Sequence, residues 1–106
     1  MEFTSDAFRS DVLGAELPVL IHFYCDNVLP CLRMDSVICE LASENVGNAI
    51  VGKMEVMSNI ELSKQYEITT VPYFMVFLNG RVAGRLTGMK LKAELQELID
   101  AHHDAA

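Results

Sequence analysis

The sequence predicts an α/β domain: a central mixed sheet of four to five strands with helices on both faces. Three observations carry this expectation. Apolar, β-branched runs alternate along the chain with segments of helical periodicity, which implies right-handed parallel crossovers. An Asn79-Gly80 pair between two apolar runs marks a tight hairpin, which adds an antiparallel edge. The chain has 106 residues, 51% hydrophobic and 22% charged, enough for one core and with no compositional sign of disorder.

The elements follow in order. A short strand is expected at Glu2-Phe3. The first helix starts at Thr4 or Ser5, either of which can cap it. Phe8 and Val12 give it an apolar face, and Gly14 stops it. Val19 to Tyr24 is nearly all apolar and follows Pro18, the pattern of a central strand covered on both faces. Pro30 suits the first turn of a helix, where its missing N–H is not needed. Cys31, Met34, Ile38 and Leu41 form the apolar stripe of that helix, widened by Val37 and Ala42, and it ends near Asn45 to Gly47.

Ala49 to Val56 reads as a second buried strand. Ser58 and Glu61 have capping-box spacing, with Ser58 as the cap of a short helix carrying Ile60, Leu62, Tyr66 and Ile68. Pro72 opens a strand from Tyr73 to Leu78, and Arg81 to Leu86 returns antiparallel after the Asn79-Gly80 turn. Gly88 breaks that strand. Leu91, Leu95, Leu98 and His102 mark one stripe of a closing helix. The domain is expected to span residues 1–102, with 103–106 a tail or the start of a linker.

Composition narrows the function. A net charge of −7 repels phosphate backbones and anionic membrane surfaces, so neither nucleic acid nor membrane is expected as a partner. The longest apolar stretch, Leu17 to Phe23, is too short to cross a bilayer. The N-terminal residues lack a basic region followed by an apolar one, so no signal peptide is expected. The three cysteines, Cys25, Cys31 and Cys39, are odd in number and contain no C-x-x-C pair. With His22, His102 and His103 they form no metal-ligand pattern, so no metal or other cofactor is expected in this chain.

From Phe23 to Cys31 the sequence reads F-Y-C-D-N-V-L-P-C, which resembles the thioredoxin signature F-W-A-x-W-C-G-P-C. Val71-Pro72-Tyr73-Phe74 resembles the thioredoxin cis-proline loop, and the Asn79-Gly80 hairpin and Gly88 follow at matching distances. The resemblance covers nearly the whole chain and implies a thioredoxin-like fold. Within that superfamily, Val19 to Tyr24, Pro30-Cys31, Gln65 to Pro72 and Arg85 to Gly88 resemble the N-terminal thioredoxin-like domain of PICOT-type multidomain monothiol glutaredoxins. Phosducin-like and spliceosomal Dim-type proteins share shorter segments.

The departures from the signature bear on the chemistry. In thioredoxins the first motif cysteine attacks a substrate disulfide as a thiolate and the second resolves the mixed disulfide. Val28 stands at the attacking position and Cys31 at the resolving one. Leu29 replaces a glycine, Asn27 the flanking tryptophan, and His22 the buried aspartate that assists proton transfer. Loss of dithiol oxidoreductase activity is therefore expected.

Cys31 has two readings, a monothiol with a stabilised thiolate or a small buried apolar residue, and the resemblance favours the second. Cys25 is expected to be a free thiol beside the strand, although pairing with Cys31 is geometrically open. Cys39 is expected to pack inward, and His22 to be neutral and hydrogen-bonded in the core. The resemblance implies a cis bond before Pro72, and a peptide-binding groove bordered by Asn27, Val28, Leu29, Pro30, Val71, Pro72 and Tyr73.

The function this favours is a cytoplasmic, or also nuclear, protein-binding or targeting module. It would belong to a monothiol glutaredoxin in iron–sulfur cluster handling and redox homeostasis, its partner a protein or a neighbouring glutaredoxin domain. No C-G-F-S cluster motif occurs in the chain. The alternatives are an atypical monothiol thioredoxin using Cys31, and a phosducin-like or splicing-associated interaction domain.

Overall fold

The computed structural model describes residues 1–102, so the tail proposed at 103–106 lies outside the described residues. A π-helical turn, Arg9–Leu13, precedes β1 (Val19–Tyr24). Two short helices follow, α1 (Leu29–Arg33) and α2 (Asp35–Glu44), then β2 (Ile50–Glu55) and α3 (Ile60–Gln65). The chain closes with β3 (Tyr73–Leu78), β4 (Arg81–Thr87) and α4 (Lys92–Ala101). The four strands form one sheet in the order β2-β1-β3-β4. β1 pairs parallel with β2 and antiparallel with β3, and β3 pairs antiparallel with β4. This is the predicted mixed α/β sheet with a thioredoxin-like topology.

Side-chain alternation in β1 divides the core in two. Val19, Ile21 and Phe23 face one way and meet Phe3, Phe8, Val12, Met54, Met75 and Phe77. Leu20 faces the other way and meets Met34, Ile38, Leu41, Val51, Phe74, Val76, Leu95 and Ile99. The turn at Arg9–Leu13 therefore covers one face, and α2 and α4 cover the other. Every residue of β1 is buried, as expected of a strand sandwiched between two layers. The Asn79-Gly80 turn has positive φ at both positions (54° and 78°), the type I′ geometry that this pair favours.

Five local expectations are corrected. The helix after Pro30 is two helices, because the Met34 N–H bonds to the Cys31 carbonyl in a tight turn at 3.1 Å. The Ser58 capping box does not form. The Glu55 carboxylate instead accepts from the Ser58 N–H (2.8 Å), the Ser58 hydroxyl (2.7 Å) and the Met57 N–H (3.2 Å), and Asn59 takes the cap position. Leu91 lies ahead of the first turn of α4 and is exposed, so the buried stripe is Leu95 and Ile99. Cys39 sits on the outer side of α2 and is exposed, not packed. His22 is fully buried but has no hydrogen-bond partner on either ring nitrogen among the described residues.

The predicted Glu2-Phe3 strand is a single parallel bridge from Glu2 to Lys53. The Phe3 N–H donates to the Lys53 carbonyl (2.8 Å) and the Lys53 N–H to the Met1 carbonyl (2.9 Å), which closes the β2 side of the sheet. Gly52 makes this approach possible. A Cβ there would stand 2.5 Å from the Met1 carbonyl oxygen and 2.7 Å from the Phe3 ring. At the other flank, Asn59 buries its amide, accepting from the Ser5 N–H (2.9 Å) and hydroxyl (2.8 Å) and donating to the Glu55 carbonyl (2.7 Å).

Candidate functional site

Antiparallel pairing of Phe23 with Tyr73 puts the end of β1 and the start of β3 at one end of the sheet. The loop after β1, residues 25–28, and the loop before β3 therefore emerge together. The Val71–Pro72 peptide is cis, as the resemblance implies. The Pro72 carbonyl accepts from the Gly88 N–H at 2.9 Å, which fixes this loop to the start of the α4 connection. Among the described residues, neither the N–H nor the carbonyl of Val71 takes a backbone partner.

The two turns after β1 run in succession. The Val28 N–H bonds to the Cys25 carbonyl (3.2 Å) and the Cys31 N–H to the Val28 carbonyl (3.0 Å). Val28 itself is extended (φ −103°, ψ 115°), as expected for the residue that leads into a helix. Leu29 is more than half exposed, while Val28 and Pro30 are half-buried and Asn27 is exposed. Cys31 is 1% exposed, on the inner face of α1. Burial pushes its thiol up and the Asp35 carboxylate adds to this, while the Cys25 main chain, hydrogen-bonded to the sulfur, opposes it. Cys25 is half-buried, and its thiol is raised by burial, by the Glu55 carboxylate, by Cys31 and by Asp26. All three thiols are free.

Behind this loop, buried His22 has two half-exposed charged neighbours, a grouping that the sequence alone does not assemble. His22 pairs with Lys53 in the β1–β2 register, and Lys53 Nζ lies 3.6 Å from the Asp35 carboxylate. Lys53 also stands over the Tyr24 ring at 4.9 Å. The His22 ring stacks on Phe74 at 5.0 Å between centroids. Burial lowers its pKa to about 4, with Asp35 raising it and Lys53 lowering it, so the imidazole is neutral near pH ~7. The Tyr24 hydroxyl donates to the Glu2 carboxylate at 3.0 Å, and burial together with that carboxylate holds the phenol well above its usual range. The signal that could have found Lys53 is a lysine inside an otherwise apolar strand.

Of the sequence-predicted site residues, the topology brings Asn27, Val28, Leu29, Pro30, Cys31, Val71, Pro72 and Tyr73 to the same end of the sheet. Tyr73 turns its ring into the core beside Phe23, and its hydroxyl accepts from Arg85 Nη1 at 3.2 Å. Tyr73 is buried and paired on both sides, with Phe23 and with Thr87.

This sheet order, with a helix starting beside a cis-proline loop, defines a thioredoxin-fold protein. The sequence model of the family described as Thioredoxin matches residues 1–101, and the chain belongs to that family. It is 30% identical over 101 residues to the thioredoxin of Chlorobaculum thiosulfatiphilum, covering 95% of this chain and 94% of that one. It is 32% identical to the thioredoxin of Mycobacterium tuberculosis, covering 94% and 87%. A bifunctional thioredoxin reductase/thioredoxin of Mycobacterium leprae is 33% identical over 95 residues, of which this chain spans 21% of the length.

These relatives overturn the expectation of a glutaredoxin targeting module. They are thioredoxins that align along nearly the full chain. The segments that suggested that branch are shared features of the fold: the β1 run, the Pro-Cys helix start and the cis-proline loop.

Proposed function

We propose that this protein is an atypical thioredoxin that exchanges thiols with protein disulfides through Cys31. The observation that carries the reading is the placement of Cys31. It is the one motif thiol retained, set in the first turn of α1 at the same sheet end as the cis Pro72 loop. The Val71 main chain, free of backbone partners among the described residues, suits an extended target segment lying alongside as an added strand.

The step balances with the sulfur that the chain has. The Cys31 thiolate attacks one sulfur of a target disulfide, a mixed disulfide forms, and the other target sulfur leaves as a thiolate. A small-molecule dithiol then attacks the target sulfur of the mixed disulfide, releases the Cys31 thiolate, and closes to its own disulfide as it frees the second target thiol. Burial and the raised pKa make this slow, because the thiolate is the reacting form. Insulin reduction driven by dithiothreitol tests it. Turnover above background is expected, and Cys31→Ser should remove it. Turnover at background, or unchanged by Cys31→Ser, overturns the reading.

A further inference from the structure

The two borders of the sheet are finished differently. The β2 border carries the Glu2 bridge, whereas β4 is the last strand on its side. Among the described residues, no backbone N–H or carbonyl of Arg81–Thr87 bonds to any main chain but that of β3. The β3–β4 register skips Ala83, so a bulge interrupts β4 there, and Gly84 to Thr87 run regularly alongside Val76 to Tyr73. Bare edges of this kind are often guarded by charged side chains. Arg85 does not guard this one, because it turns toward β3 and donates to the Tyr73 hydroxyl at 3.2 Å.

A groove follows the same border. Leu86, Glu94, Glu97, Leu98 and Ala101 line a space of about 350 Å³ between β4 and α4. No β3 residue lines it, so it opens on the bare side of β4. Leu86 and Leu98 are half-buried and form its apolar part. Gly84 shares this face, since a Cβ there would meet Leu98 Cδ1 at 2.8 Å. Glu94 and Glu97 are exposed, lie on one side of α4, and form no ion pair among the described residues.

We infer that β4 accepts an extended protein segment as an added strand, one with an apolar side chain flanked at alternate positions by lysine or arginine. An added strand lies about 4.8 Å from β4 and shows every second side chain to the α4 face. One such side chain enters the groove against Leu86 and Leu98, and its same-face neighbours come under Glu94 and Glu97. The net charge of −7 draws a basic segment toward the edge. A second copy of the chain fits poorly. Two β4 strands paired about a two-fold axis would set both α4 helices on one face, glutamate against glutamate. The site uses no sulfur, so it stands whether or not Cys31 exchanges disulfides.

An NMR titration of the isotope-labelled full chain tests this. The probe is the capped peptide Lys-Thr-Lys-Val-Leu-Val-Lys-Thr-Lys, whose leucine and lysines share one face of a strand. Saturable amide shifts are expected in Gly84 to Thr87 and in Glu94 to Ala101. The same peptide with glutamate for every lysine should not bind, and Glu97→Lys should weaken the lysine peptide roughly fivefold. Two further peptides, N-methylated at odd or at even positions, separate strand addition from charge attraction, and one of the two should lose binding. No saturable shift at millimolar lysine peptide overturns the inference, as do shifts gathered at the Pro72 loop instead. Equal binding of the glutamate peptide, or full binding of both N-methylated peptides, also overturns it. These probes leave the protein unaltered, so misfolding of Glu97→Lys cannot shelter the inference. Sedimentation of the chain alone should show a monomer, and a dimer whose β4 amides shift on dilution overturns the assigned occupant.

Discussion

Replacing His22 with leucine should change how the protein responds to acid, and the size of the change follows from its surroundings. The ring is fully buried, with no partner on either nitrogen among the described residues, and its pKa is lowered from 6.5 to about 4 by burial. In the unfolded chain the imidazole takes up a proton near pH 6.5, and in the folded one only near 4. Between those values the unfolded state binds more protons, so stability falls as pH falls and levels off below the folded value. At one pKa unit per ~1.4 kcal/mol, moving from pH ~7 to pH ~5 should cost the native protein about 2 kcal/mol through this residue alone. His22→Leu removes the effect. It also removes two unpartnered polar atoms, which should raise stability at neutral pH by roughly 1–3 kcal/mol. Urea unfolding of both proteins across this pH window measures the difference. Carboxylates contribute equally to both proteins and cancel in the comparison. If the two pH slopes coincide, the ring is not held neutral by its surroundings and the reasoning fails.

Three further outcomes are expected. Gly52→Ala should destabilise the protein by roughly 1–3 kcal/mol in thermal or urea unfolding, because the new Cβ meets the Met1 carbonyl and Phe3 ring; an unchanged midpoint would count against the contact. Asn59→Ala leaves the Ser5 N–H and the Glu55 carbonyl without their side-chain partner and should cost about 1–3 kcal/mol by the same assay, with hydrogen exchange of the Ser5 amide accelerated. Native alkylation followed by mass spectrometry should modify exposed Cys39 first and Cys31 last, with the Cys31 lag disappearing in denaturant.

The strands and the hairpin were legible because each is a local pattern. The apolar run at Val19–Tyr24, the Asn79-Gly80 pair and the proline before Tyr73 carry their structure in adjacent residues. That Cys31 and Pro72 belong to one end of the sheet was legible for the same reason, once the strand order was inferred. What stayed hidden depends on non-local partners. Ser58 has the spacing to cap α3, yet Glu55, three residues upstream at the end of β2, captures it through a stronger charge-assisted bond. Cys39 lies on the outer surface of α2, since apolar character alone does not decide which way a helix turns. The grouping of His22 with Lys53 and Asp35 needed the β1–β2 register, which spacing along the chain does not contain. The glutaredoxin expectation failed differently. It read features common to the fold as marks of one branch.

The bridge from Glu2 to Lys53 has a practical consequence for anyone working with the protein. Because Met1 and Phe3 exchange main-chain hydrogen bonds with Lys53, the leading residues behave as a sewn seam along one border of the sheet. Trimming them would expose raw strand on β2 and invite chains to stack edge to edge. An affinity handle or fluorophore is better attached away from that seam.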